Sequence, residues 1–465
     1  QLPPLAMPAQ QAQQCGLQPS SSYWYRFRTS DGVSPVGRMR TAPAPNSSPA
    51  KLRFGMVTCA EYEFGFFGAY RHLAERNDIE AVLHMGDYIY EFGNSYGPVP
   101  TPGAALGRVH NPPKEIITLA DYRRRYASYR ETVELQDVHR AHPMIWVWDD
   151  HETANGAWRD GAGNHDDAED GPFPERSDAA IRAAHEWLPI RTPDASNLLR
   201  IYRHFSFGPL CDLTMIDTRR IGRDQQGENN AQQGFVQTGL FPDATREILG
   251  VTQQAWVSEQ LARTGHTWRL LGNQVVMAPL KIAGLPRATG ASVFANPDQW
   301  DGYEPARDRF LDAAAAANVQ NLVVLTGDVH ASMAFEIARD PNNPVSYDGL
   351  SGRGSEGVEF VTPSISSAGE NEEQTTDPQT LVEQLITRGS EALRASNPQL
   401  KLFDANLNGY ILLSVQAATV RAEYWLVPTV RAITNEQTLT YAFDVAAGSN
   451  TLVEDLAVRA AALLG

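Results

Sequence analysis

Ala81-Val82-Leu83-His84-Met85-Gly86-Asp87-Tyr88-Ile89-Tyr90-Glu91 is the stretch on which the fold turns. Ala81–Met85 is strand-like and too short for a helix, and it stops at a Gly-Asp pair. Similar runs flank it: Leu52–Thr58, Met144–Trp148, Leu213–Ile216, Trp268–Met277 and Leu322–Thr326. Between them lie helical periods at Phe66–Arg76, Leu119–Tyr129, Asp178–Trp187, Gln253–Arg263 and Pro305–Ala316. Short apolar runs separated by helices predict buried α/β sheets. Glu359–Pro363, Tyr410–Val415, Arg421–Leu426 and Leu439–Phe443 read as antiparallel additions. The expected architecture is a four-layer αββα sandwich without internal repeats.

Ligands of α/β sheets collect beyond the carboxyl ends of strands. Here those ends read Val57-Thr58-Cys59, Met85-Gly86-Asp87, Trp148-Asp149-Asp150-His151-Glu152 with Asn155 just after, Gly272-Asn273-Gln274, and Thr326-Gly327-Asp328-Val329-His330. Singly, each has an ordinary reading. Asp after Gly is a turn former, Cys59 a small buried hydrophobe, Tyr90 a core residue and His330 a satisfied core histidine. Together they bring metal-competent side chains into one crevice. Thiolate, phenolate and imidazole from Cys59, Tyr90 and His330 suit a strongly Lewis-acidic ion, ferric iron first and zinc second. Asp87, Asp150, Asp328 and an amide oxygen of Asn155 or Asn273 suit calcium, magnesium or manganese. Asp87 is placed to bridge the two sites. His151, directly after a ligand, is a candidate for touching substrate or protonating a leaving group, or else supports a ligand from behind. Arg219, in Asp217-Thr218-Arg219-Arg220, is a candidate oxyanion clamp, with a surface salt bridge as its ordinary reading.

The bulk composition agrees. A formal charge of −16 argues against nucleic acid or an anionic membrane as the partner. It suits acids gathered around cations. No apolar run is long enough to span a bilayer. Three cysteines, Cys15, Cys59 and Cys211, make no disulfide framework, although Cys15 and Cys211 could pair. Starting at Gln1 without a leader, the chain reads as processed or shortened. Residues 1–17 read as a tail. Tyr23–Thr41, turning at Asp31-Gly32, reads as a β-hairpin, and Pro43–Pro49 as a linker. This divides the chain into an N-terminal segment, 1–45, and a catalytic domain, 46–465. At the far end, Leu452, Val453, Leu456, Val458, Ala461, Leu463 and Leu464 can form one apolar helical face, either closing the domain edge or acting as a lid.

Gly86-Asp87-Tyr88-Ile89-Tyr90-Glu91, Trp148-Asp149-Asp150-His151-Glu152 and Thr326-Gly327-Asp328-Val329-His330-Ala331-Ser332 resemble the PhoD-type alkaline phosphatase and phospholipase D family of metallophosphoesterases. Leu271–Met277 and Asp217–Arg220 fit as well, and the resemblance runs from about residue 20 to 445. Gly16-Leu17-Gln18-Pro19 with the Tyr23–Phe27 strand is similar to the end of the fibronectin-III-like domain that precedes the catalytic domain there. More distantly, Asp-x-x-Tyr and Asp-x-His resemble purple acid phosphatases. Those have Asn-His where this chain has Asp150-His151, His-x-His where it has Asp328-Val329-His330, and aspartate at Cys59. The resemblance implies an Fe3+ site of Cys59, Asp87, Tyr90 and His330, with one or two Ca2+ on Asp87, Asp150 and Asp328. Zn2+, Mn2+ or Mg2+ are the possible substitutes. It also implies a secreted or periplasmic hydrolase of small-molecule or lipid phosphate esters, using a metal-bound hydroxide. The competing expectations are a phosphodiesterase or phospholipase D with the same centre, or an inactive cell-surface binding protein.

Overall fold

The computed structural model describes residues 16–93, 95–96, 99–227, 234–368 and 390–464. A hairpin of β1 (Ser22–Tyr25) and β2 (Gly37–Arg40) opens the chain, paired from Ser22 with Arg40 to Tyr25 with Gly37. Strands and helices then alternate through β3 (Leu52–Val57), α1 (Gly68–Glu75), β4 (Ala81–His84), α2 (Leu119–Arg130), α3 (Val133–Ala141), β5 (Met144–Trp146) and α4 (Phe173–Trp187). The second series is β6 (Arg203–Phe207), β7 (Cys211–Met215), α5 (Gly250–Leu261), β8 (Trp268–Gly272), α6 (Glu304–Ala316) and β9 (Leu322–Thr326). A β-rich stretch follows, with β10 (Ser332–Ile337), β11 (Gly357–Val361), β12 (Leu400–Asp404), β13 (Gly409–Val415), β14 (Thr419–Leu426), β15 (Thr438–Ala446) and β16 (Leu452–Glu454), and α7 (Leu456–Leu464) ends it.

The strands form two seven-stranded mixed sheets, ordered β16-β15-β14-β13-β3-β4-β5 and β6-β7-β8-β9-β11-β10-β12. β3, β4 and β5 run parallel, as do β7, β8, β9 and β11. Sequence periodicity explains the local choices. In β14, Val420, Ala422, Tyr424 and Leu426 are buried and their neighbours are not, which is the period of a half-covered strand. α2 begins at Thr118, whose hydroxyl accepts from the Asp121 amide while Asp121 accepts from Thr118, a reciprocal cap. One apolar core takes side chains from both sheets, among them Phe54, Met56 and Leu412 from the first and Leu213, Leu270 and Phe360 from the second. Another joins Leu271 and Val324 to Val257 of α5 and Phe310 of α6.

Four expectations need correction. Glu359–Pro363, expected as an antiparallel addition, overlaps β11, which runs parallel to β9 and antiparallel only to β10. The run Trp268–Met277 leaves the sheet after Gly272. Beyond it, the amides of Val276, Met277 and Ala278 are taken by side chains, Gln299 Oε1 and the two Glu359 oxygens, instead of a neighbouring strand. The C-terminal segment is not one helix from Leu452. Leu452–Glu454 pairs with Phe443–Val445 as an edge strand, and only then does α7 form, with Leu456, Leu463 and Leu464 exposed. Strands β6, β10 and β12 were not foreseen. As for the pairing of Cys15 with Cys211, Cys211 is buried in β7 with a free thiol, and Cys15 lies outside the described residues.

Candidate metal centre

Four strand ends converge. β3 delivers Cys59, β4 Asp87, β5 Asp149 and Asp150, and β9 Asp328 and His330. Cys59, Asp87, Asp328 and His330 all hold left-handed backbone, with φ of 54°, 54°, 69° and 53°. Such φ is uncommon outside glycine and asparagine, and its clustering marks a functional site. The approach is close. A Cβ on Gly86 (φ 112°) would stand 2.4 Å from the Asp149 amide nitrogen, and one on Gly327 would stand 2.4 Å from Thr58 Oγ1. Glycine at both positions lets the strand ends meet.

One group surrounds Asp87. The Cys59 thiol donates to Asp87 Oδ2 at 3.3 Å. The Tyr90 hydroxyl is 3.2 Å from that oxygen and 3.2 Å from His330 Nε2, and Ser367 Oγ donates to it at 2.8 Å. Ligand atoms of Cys59, Asp87 and His330 lie within 4.8 Å of one another, as do those of Asp87, Asp150 and His151, and those of Asp149, Asp150 and Asp328. Asp87 and Asp150 therefore each belong to two neighbouring groups, so the donors form a continuous chain.

The electrostatics are those of acids crowded out of water. Burial, then Asp150, Glu152 and Asp328, push Asp87 well above the usual carboxylate range against the opposing His151. Burial lifts Asp328 to about 6 despite Arg219, and lowers His330 to about 4. Burial and Asp87 push the Cys59 thiol up. The raised values of Asp87, Asp328 and Cys59 penalise anionic forms that a bound cation would restore, and the lowered value of His330 leaves the neutral imidazole that a cation takes as ligand. Asp149 Oδ2 and Asp150 Oδ1 are buried without a hydrogen-bond partner among the described residues. The thiol, phenol, imidazole and carboxylate set thus fits a pair of cations, one with soft and one with hard ligands.

Arg219 is not at the surface. It is fully buried and donates through Nε to Asp149, at 2.7 Å to Asp298 and at 2.8 Å to Asp328, with Asp150 3.4 Å away. These carboxylates hold it well above its ordinary value although burial works against its charge. His151 Nδ1 lies 2.7 Å from Glu91 Oε2, and its ring stacks on Tyr90 at 4.1 Å. Burial would discharge it, but Glu91, Asp150 and Asp87 keep it cationic well above 6.5.

The two asparagines differ. Asn273 is not brought to the acids. Its amide oxygen accepts from the Trp300 indole at 3.0 Å and its amide nitrogen donates to Val275 O and Thr326 Oγ1, so it braces the ends of β8 and β9. Asn155 stands beside the site, its backbone amide donating to Glu91 Oε1 at 2.5 Å, and its side chain makes no hydrogen bond to a described residue.

Several contributors escaped the sequence reading. Glu152 accepts from the amides of Asp87, Tyr88 and Asp149, clamping two strand ends together. Glu91 orients His151. Both stand in the quoted motifs, where a carboxylate after the ligand run was the available signal. Asp298, shared by Arg219 and Arg223, and Gln299, which donates to Asp328 Oδ2 at 2.6 Å, come from a loop without such a signal.

The PhoD-like phosphatase family profile matches residues 54–424. Alkaline phosphatase D of Bacillus subtilis (strain 168) is 34% identical over 418 residues, which is 89% of this chain and 66% of that protein, slightly under two thirds of its length. A solved structure of PhoD superimposes with a TM-score of 0.81 at 30% identity, covering 95% of this chain and 78% of that one.

Proposed function

The chain belongs to the PhoD-like phosphatase family, and from that premise we propose that it is a metal-dependent phosphoesterase of the alkaline phosphatase type, acting on phosphate monoesters with diesters, lipid esters included, as the second substrate class. The observation that carries this is the buried chain of donors from Cys59 through Asp87 to Asp150 and Asp328, in which Asp149 and Asp150 each keep one oxygen without a hydrogen bond.

Cys59, Asp87, Tyr90 and His330 would hold ferric iron, and Asp87, Asp150 and Asp328, with Asn155 nearby, one or two calcium ions. Zinc, manganese or magnesium are the substitutes. Bound there, the ions supply Lewis acidity toward phosphoryl oxygens and lower the pKa of the attacking water. The protein's own groups do the rest. His151, kept cationic by Glu91, is the proton donor for the leaving oxygen. Arg219 neutralises the carboxylates, and it can clamp phosphate only by exchanging Asp150 and Asp328 for it. The backbone at Asp87 and Asp149 is held rigid by Glu152, which fixes the ligand directions.

The finer architecture goes with this reading. A four-layer αββα sandwich is supported by the core common to both sheets and the separate helix-on-sheet core. A division into 1–45, with a fibronectin-III-like remnant, and 46–465 is supported by the β1–β2 hairpin. The extracytoplasmic location expected from the resemblance belongs here too, and cell fractionation tests it. Among the described residues no helix is long and apolar enough to cross a membrane.

The test is elemental analysis of protein purified without chelator, followed by hydrolysis of p-nitrophenyl phosphate and its bis-ester. Iron and calcium should co-purify, and the two rates assign the ester class. A chiral phosphate monoester should show inversion from a single displacement. Net retention, or a trapped phosphoenzyme, contradicts direct attack by water.

A further inference from the structure

β5 and β6, the edge strands of the two sheets, both line a cavity of about 400 Å³ on the open side of the molecule. It has the size and the largely apolar wall of a small-molecule pocket, with Trp146, Leu188, Ile190, Phe205 and Trp256 among its lining. Its permanently charged lining is cationic. Arg191, Arg200, Arg203, His139 and His204 line it, and among the described residues no carboxylate does, in a chain of net charge −16. It shares no residue with the metal centre. Trp146 precedes Asp150 by four residues, roughly 13 Å of extended chain.

Arg203 is the cation here that no carboxylate offsets. Arg203 donates only to carbonyls, Ile201 O at 2.9 Å and Trp146 O at 2.6 Å. Burial pushes its guanidinium down to about 10, with no carboxylate opposing. Arg200 lies over the Tyr202 ring at 5.3 Å. Arg200 Nε and Trp146 Nε1 are both buried without a hydrogen-bond partner among the described residues, and Trp146 is 2% exposed. A guanidinium that meets carbonyls alone keeps an uncompensated charge, which an anion entering the cavity would offset.

We propose that this cavity binds a small organic monoanion with an aromatic or short acyl body. The anionic group meets Arg200 and Arg203, while the body lies against Trp146, Ile190 and Trp256. Charge-assisted hydrogen bonds supply the selectivity for an anion over a neutral molecule of the same shape.

Two fluorescent probes of nearly the same body test this on the metal-loaded enzyme: 8-anilinonaphthalene-1-sulfonate and uncharged N-phenyl-1-naphthylamine. The sulfonate should bind one equivalent, at least about tenfold more tightly than the neutral dye, and octanoate should displace it while inorganic phosphate should not. Arg203→Leu and Arg200→Leu should each weaken it about tenfold or more, and Thr192→Trp should block it, with p-nitrophenyl phosphate hydrolysis unchanged. If Arg203→Leu does not fold, the other two variants decide. Equal affinity for the neutral dye overturns the anion assignment. Undiminished sulfonate binding in active Arg200→Leu and Thr192→Trp, or its loss on Leu463→Asp/Leu464→Asp in α7, overturns the site.

Discussion

The strand-end centre and the lateral cavity each carry an excess of one charge, and they differ in what offsets it. At the centre an internal counterion, Arg219, reaches Asp149, Asp298 and Asp328, yet two carboxylate oxygens remain without donors. At the cavity no carboxylate stands in the lining among the described residues, and Arg203 meets only carbonyls. Carboxylates crowded around one arginine still exceed its charge, so the centre calls for cations. Arg203, satisfied only by carbonyls, calls for an anion. Buried charge that the fold leaves unmatched marks where a ligand enters.

The comparison breaks most decisively at Asp87, which joins both halves of the centre. Asp87→Asn should cut p-nitrophenyl phosphate turnover by about a thousandfold or more and lower the metal content, leaving the lateral cavity's dye binding untouched. Loss of dye binding as well would mean that the two regions are one cooperative unit.

Chelation comes next. Removing the metals should abolish hydrolysis reversibly, with calcium restoring it better than magnesium. It should also lower thermal stability, because ligands saturating a folded site at a thousand times Kd stabilise by about 4 kcal/mol. Full activity in protein shown to be metal-free would end the two-ion reading.

Tyr90→Phe sharpens the assignment within the centre. The phenolate should give iron a visible charge-transfer band that this variant bleaches or shifts. Its hydroxyl has Asp87, His330 and Ser367 as neighbours, so the fold should lose only about 1 kcal/mol, read by denaturant melts. A colourless active enzyme containing zinc alone would remove iron from the account.

The smallest effect lies outside both regions. Burial holds His142 at about 4, below the 6.5 of an exposed imidazole. The unfolded chain then takes up a proton that the folded chain refuses. Its contribution is therefore complete above pH 6.5 and lost as pH falls toward 4. His142→Asn should flatten the decline of Tm across that window by about 1–3 °C per pH unit. An unchanged slope would assign acid sensitivity to the centre's own groups.

What was legible in the sequence follows from chemistry that is local along the chain. Leu322–Thr326 was read to the residue because an uninterrupted apolar run stops at Gly327-Asp328. Cys59, Asp87, Tyr90, Asp150, Asp328 and His330 stand out in sequence because each sits just past a strand, and the structure brings them together. Asn273 occupies the same kind of position, but its oxygen is taken by Trp300, which lies 27 residues away and leaves no trace in local pattern. Asp298 and Gln299 reach the centre from a loop for the same non-local reason. Arg219 was read as clamp or surface pair because burial cannot be seen from its neighbours in sequence. β10 was missed because Ser332–Ile337 is buried at every position and so shows no alternation.

The short strand β16 has a consequence for behaviour in bulk solution. β15 is nine residues long, and Leu452–Glu454 covers part of its outer side, pairing with Phe443–Val445. A chain ending at Asn450 would leave that ribbon of backbone amides and carbonyls open to the same strand in another molecule. The loss would then appear as concentration-dependent self-association on light scattering, at unchanged turnover per folded molecule. The last residues, by this account, keep the protein monodisperse.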